Sequence, residues 1–132
     1  MNPTLFVLLA LAAVLAGCAS PTTEITPVGQ TRVAISSDDP FIEIHTRPIY
    51  ELTLTLPPPN VPGYVWEIAA ADPRYLKQTS TVAPLPGGSG GATVTFVTLR
   101  TGRTRLRFFA IPRTPARVAD PGGKCDIVVL IE

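Results

Sequence analysis

Tyr50-Glu51-Leu52-Thr53-Leu54-Thr55-Leu56 alternates between polar and apolar side chains, and this alternation decides the fold class. Leu52, Leu54 and Leu56 share one face of an extended chain, while Glu51, Thr53 and Thr55 share the other, which is the period of a half-buried strand. The same period recurs on both sides of this stretch. Phe41-Ile42-Glu43-Ile44-His45 precedes it, and Tyr64-Val65-Trp66-Glu67-Ile68 follows a Pro-rich turn. Ala92 to Leu99 alternates again after a glycine cluster, and Thr101-Gly102 turns the chain into Arg103-Thr104-Arg105-Leu106-Arg107-Phe108 as a hairpin partner. Ile127-Val128-Val129-Leu130-Ile131 is apolar on both faces and reads as a central strand. The single helix candidate is one turn near Asp72-Pro73-Arg74-Tyr75-Leu76. Fifteen prolines and ten glycines punctuate the chain too closely for long helices. About seven short strands separated by turn signals predict an all-β, immunoglobulin-like β-sandwich. Trp66, early in its strand between Val65 and Ile68, is the expected core aromatic.

The N-terminal segment sets the compartment. Leu5 to Gly17 is almost wholly Leu, Ala and Val without a charged side chain. So short a run falls below the roughly 20 residues that span a hydrocarbon core and matches the apolar region of a signal peptide. Met1 to Thr4 has no Lys or Arg, so the positive charge there rests on the terminal amine. Leu15-Ala16-Gly17-Cys18 resembles a bacterial lipobox, which implies acylation at Cys18 and removal of the chain before it. Several acyl chains on one residue hold well, at about 0.8 kcal/mol per buried methylene. Ala19, in place of Asp, looks like an outer-membrane address, on the periplasmic side. Ser20 to Gly29 is rich in Pro and Thr and lacks periodicity. The expected organisation is therefore a signal peptide over 1–17, a lipidated cysteine and tether over 18–29, and one sandwich domain over 30–132.

Composition narrows the function classes. A formal net charge of +1 implies no bulk polyanion partner, and nothing resembles a nucleic-acid module. Two cysteines are present, and with Cys18 taken by lipid, Cys125 has no partner for an internal disulfide. Its parity with Ile127, Val129 and Ile131 predicts a small core residue. His45 is the one histidine and lies in a strand-like run, with no glycine elbow around any serine, so a catalytic triad finds no support. One His and one free Cys fall short of a zinc site. Asp38-Asp39 before Pro40 read as turn residues, and no calcium-loop signature surrounds them. Gly87-Gly88-Ser89-Gly90-Gly91 leads into a strand with no Lys beside it, unlike a phosphate loop. No enzyme activity, cofactor, metal or small-molecule substrate is expected.

Leu56-Pro57-Pro58-Pro59-Asn60-Val61-Pro62-Gly63-Tyr64-Val65-Trp66 is similar, without a gap, to the Leu-Pro-x-Asn-Pro-Thr-Thr-Gly-Tyr-x-Trp stretch of the chagasin-like inhibitors of papain-type cysteine peptidases. The resemblance runs from about Leu52 to Pro112. Gly88-Ser89-Gly90-Gly91 corresponds to the family's Gly-x-Gly-Gly loop, and Thr104 to Phe108 to its Thr-x-Leu-x-Phe strand. It implies a cysteine peptidase as partner, bound by three loops: Pro59, Asn60, Val61, Pro62 and Gly63; Gly88, Ser89, Gly90 and Gly91; Ile111, Pro112 and Arg113. In that family the first loop enters the active-site cleft and the other two grip its rims. Two departures stand out. Pro59-Asn60-Val61-Pro62 replaces Asn-Pro-Thr-Thr, and Ile111-Pro112-Arg113 replaces Arg-Pro-Trp or Arg-Pro-Phe. These departures keep open an alternative, a non-inhibitory envelope binding module using the same loops or an arginine face. Arg103, Arg105 and Arg107 alternate onto one side of their strand, with Arg100, Arg113 and Arg117 nearby. They read either as a solvated face paired across to Thr and Glu side chains or as a contact for lipid headgroups or an acidic partner.

Overall fold

Leu52, Leu54 and Leu56 have no exposed surface, and the interleaved Glu51, Thr53 and Thr55 are part-exposed. The alternation thus becomes a strand, Tyr50–Leu56, with one face in the core. This computed structural model describes residues 24–36, 41–88, 90–113 and 123–132. Cys18, Asp38, Asp39, Ser89 and Arg117 lie outside the described residues.

Among the described residues, nine strands form two sheets: β1 (Gly29–Ala34), β2 (Ile42–Thr46), β3 (Tyr50–Leu56), β4 (Tyr64–Ala71), β5 (Leu76–Gln78), β6 (Ala83–Pro84), β7 (Ala92–Thr98), β8 (Gly102–Pro112) and β9 (Lys124–Ile131). The first sheet has the order β1-β3-β7-β5, with β6 also on β7; the second has the order β2-β9-β8-β4. The all-β sandwich stands, but nine strands replace the expected seven or so. β1 escapes notice because Thr31 and Val33 alone mark its inner face, and strands as short as β5 and β6 carry no period. The last part of the expected tether is also laid against the domain. Ile25 and Pro27 are half-buried and bound a concavity with Glu51, Lys77 and Val97 on the outer face of the first sheet.

Phe96 and Phe108 fill the centre of the core, surrounded by the three β3 leucines, Leu106, Val94, Ile127, Val129 and Ile131. Trp66 is not the central aromatic. It is half-buried and packs against the margin of this cluster, because β4 is an edge strand whose inner face opens toward solvent. β9 lies between β2 and β8 as a central strand should, and Cys125 faces the core with Ile127, Val129 and Ile131. Burial first, then the Asp126 charge, push its thiol above the usual range.

Between the sheets, the Thr31 and Thr46 hydroxyls meet at 2.9 Å. The crossover from β2 to β3 is tied to Thr98, which is wholly buried. Its hydroxyl donates to the Arg47 carbonyl at 2.6 Å and accepts from the Tyr50 N–H at 2.9 Å. Within this turn Ile49 has φ 59°, a left-handed conformation costly for a β-branched residue, by about 1–3 kcal/mol. Two backbone bonds of 2.8 Å hold it there, Ile49 N–H to the Thr98 carbonyl and Val28 N–H to the Ile49 carbonyl.

Register defines two ends. At one, Leu56 faces Ala92 and Tyr64 faces Pro112. At the other, Gly29 faces Tyr50, Leu76 faces Thr98 and Gly102 faces Ile131.

Candidate functional site

The three loops singled out in the sequence meet at the Leu56–Tyr64 end. The first leaves β3 at Leu56 and returns at Tyr64. Pro57 is tied down where the loop starts, since the Trp66 indole N–H donates to its carbonyl at 2.7 Å. At the far side, Val61-Pro62-Gly63-Tyr64 closes with a 3.4 Å bond from the Tyr64 N–H to the Val61 carbonyl. Gly63 has φ 83°, and Pro followed by a left-handed Gly is the signature of a type II turn. Asn60, Val61, Pro62 and Gly63 are exposed, with Val61 at 40% exposure, while Pro59 is half-buried beneath them.

The second loop is shaped by glycine. Gly87, Gly88 and Gly90 have φ of 96°, 70° and 83°, where side chains are disfavoured. Gly90 sits beside the first loop: a Cβ there would lie 3.4 Å from the Pro58 Cβ. Gly91 is buried, and a Cβ on it would come within 2.9 Å of the Leu56 carbonyl oxygen and 2.8 Å of Leu85. It therefore acts as a spacer beneath the loop and not as a contact surface, which corrects its place among the expected contacts.

The third segment is mostly strand. Ile111 and Pro112 are the last residues of β8, pair with Val65 and Tyr64, and are half-buried. Arg113 is exposed, and its N–H donates to the Gly63 carbonyl at 2.9 Å, bonding the third segment to the first loop. Among Pro57–Gly63, Leu85–Gly91 and Ile111–Arg113, Arg113 is the single charged residue. The exposed tip is thus small, uncharged and stiffened by Pro57, Pro58, Pro59 and Pro62, a shape suited to insertion into a cleft.

Sequence reasoning missed Trp66 as the clamp on the first loop, a role its edge-strand position gives it. The arginine face is real but paired differently than expected. Arg103, Arg105 and Arg107 lie on the outer face of β8. Arg107 donates to Asp126 at 2.6 Å, and this bond, with the neighbouring Lys124 charge, holds the Asp126 carboxyl below its usual range. Arg103 and Arg105 stand opposite Leu130 and Val128 on β9, not opposite Thr or Glu. His45 is exposed, 2.9 Å from Glu43 and 3.7 Å from Glu132.

This arrangement defines an immunoglobulin-like sandwich with a loop platform at one end. It is the fold of a known cysteine protease inhibitor. The structure is similar to EhICP2, the cysteine protease inhibitor from Entamoeba histolytica, with a TM-score of 0.56 and 16% identity, covering 79% of this chain and 96% of that one. Amebosin is a second structural neighbour, at a TM-score of 0.47 and 20% identity over 79% of this chain and 98% of that one. No protein-family model matches the sequence, and no curated protein is similar to it. At these identities the likeness is one of fold.

Proposed function

We propose that the protein is an envelope-anchored inhibitor of papain-type cysteine peptidases, attached through acylated Cys18 on the periplasmic side of the outer membrane. It acts by occupying the peptidase cleft, not by chemistry of its own. The observation that carries this reading is the joining of the three loops at one end, through the bond from Arg113 to Gly63 and the seating of Gly90 beside Pro58. A cysteine protease inhibitor with the same fold supports it.

In this reading Asn60 to Gly63 enters the cleft, and Gly88 to Gly90 with Arg113 meet its rims. Prolines limit what the first loop can sample when free, so little ordering entropy is lost on binding. Val61, extended by the following Pro62, presents a small apolar side chain whose burial contributes roughly 1.5–2 kcal/mol. An aromatic rim anchor of the kind that carries most interface energy is absent at Arg113, which lowers the affinity expected of this chain.

The test is inhibition of one papain-type enzyme by wild type, Val61→Asp and Arg113→Trp. Wild type should inhibit at micromolar concentration or below, Val61→Asp should weaken it strongly, and Arg113→Trp should tighten it. A wild type that does not inhibit, and that Arg113→Trp does not rescue, leaves the loop platform as a binding module for another partner.

A further inference from the structure

The end opposite the loops is as basic as the loop end is neutral. Arg47 is exposed in the turn between β2 and β3, Arg74 and Arg100 stand near Tyr75, and Arg103 opens β8. Arg74 and Arg100 place their guanidinium carbons 5.8 and 5.9 Å from the Tyr75 ring centre, which fixes both beside the turn at Leu99 to Thr101. Arg74, Arg103 and Arg105 line one open concavity there with Asp72. Two acids share this end, and Glu51 and Glu24 lie just inside it around Lys77. Asp72 is engaged by Arg74 at 2.8 Å, and Glu132 lies 3.7 Å from His45. Among the described residues, no carboxylate is within ion-pairing distance of Arg47, Arg100 or Arg103. Val28, 76% exposed, adds an apolar side chain beside Ile49.

The chain also enters the domain here. Gly29 pairs with Tyr50 at this end, and Glu24, Ile25 and Pro27 lie by Glu51, Val97 and Lys77, one residue in from it, and by Gln78 and Thr79 farther in. Cys18 lies six positions before Glu24, a reach of at most about 22 Å. That reach is enough for a bilayer attached at Cys18 to meet this end.

We propose that this basic end is a docking face for anionic phospholipid headgroups, which seats the sandwich end-on and turns Asn60 to Gly63 away from the bilayer. Arginines suit phosphate because the planar guanidinium donates two parallel hydrogen bonds. The orientation rests on the anchor at Cys18; the headgroup contact does not.

The test offers the full chain two vesicle populations at once and separates them by sedimentation. One is sucrose-loaded phosphatidylcholine with one lipid in four replaced by phosphatidylglycerol; the other is unloaded phosphatidylcholine. Whatever the N-terminal segment adds to attachment is common to both, so the ratio reads the headgroup contact. Wild type should favour the anionic vesicles, and high salt should erase the preference. Arg100→Gln with Arg103→Gln should lower the ratio roughly twenty- to thirty-fold, about five-fold per arginine at an anionic surface. Arg32→Gln with Arg113→Gln removes the same charge elsewhere and should leave most of the preference. No preference in wild type, or equal losses in both double variants, overturns the proposal. Absence of any attachment to neutral vesicles removes the anchor reading, and the amount bound to the anionic vesicles then measures this face.

Discussion

Replacing Trp66 by Phe tests whether the first loop is held from its base. The change keeps an aromatic ring at the margin of the core but deletes the 2.7 Å bond from the indole N–H to the Pro57 carbonyl. That bond is part-buried, so its loss costs about 1 kcal/mol. The smaller ring also leaves space near Gly123 and Ala110, since the indole tip lies 3.7 Å from where a Gly123 Cβ would be. Losing those packed atoms costs about another 1 kcal/mol. A total near 2 kcal/mol lowers the melting temperature by roughly 8–15 °C for a domain of this size. Inhibition should suffer separately. A loop released at Pro57 must order about one more residue on binding, at about 0.5–1.5 kcal/mol, which is roughly a two- to twelvefold loss of affinity. Thermal melting and inhibition titration on the same preparation read both effects. A stability loss of about 3–5 kcal/mol, the range of a fully buried aromatic truncated to Ala, would place Trp66 in the core. A loss of stability without any loss of inhibition would show that the clamp does not serve the loop.

Three further outcomes are expected. Thr98→Val keeps the shape of a wholly buried side chain but leaves the Arg47 carbonyl and Tyr50 N–H without their shared hydroxyl, and should cost about 2–4 kcal/mol in urea denaturation. Gly91→Ala and Gly88→Ala should both destabilise, for different reasons: the first by overpacking Leu56 and Leu85, about 1–3 kcal/mol, the second by left-handed strain in open space, about 1 kcal/mol. Partial relief of the first alone by Leu85→Ala, which leaves the Leu56 carbonyl in place, checks the distinction. The Cys125 thiol, held above its usual range mainly by burial, should resist alkylation in the folded protein. Because the unfolded chain gives up that proton first, the thiol's contribution to stability is complete below the ordinary thiol range and falls as pH rises through it. Cys125→Ala should flatten that part of the stability profile above about pH 9.

Legibility followed the physics of each signal. Alternation reports which face a residue occupies, so β3, β7, β8, β9 and the inward turn of Cys125 were readable from side-chain order. It does not report which strand lies alongside. Nothing in Gly29 to Ala34 points to parallel pairing with β3, and nothing in Ile42 to Thr46 points to β9. Its place between Val65 and Ile68 points Trp66 into the core, whereas an edge strand leaves part of it exposed. The loop residues were recognised by resemblance, and their convergence follows from the register of Tyr64 with Pro112 and Leu56 with Ala92. Gly91 looked like its neighbours in the glycine run, and only the packing of Leu85 and the Leu56 carbonyl around it separates a spacer from a surface residue. The arginine partners were missed because pairing across β9 sets Val128 and Leu130, not polar side chains, against Arg105 and Arg103.

The pairing of β2 with β9 fixes when the domain can finish folding. β2 begins at Ile42, and the strand beside it, β9, runs to Ile131. A chain delivered from its N-terminus, whether from a ribosome or threaded through a membrane channel, holds β2 without a neighbour until β9 has emerged. The first sheet can assemble earlier, since β1, β3 and β7 are complete by Thr98. Closure of the second sheet waits on a contact that spans most of the sequence, and such long-range pairing slows the search for the native state. The first sheet can therefore stand as a half-built layer, and the sandwich closes over it only once β9 is free.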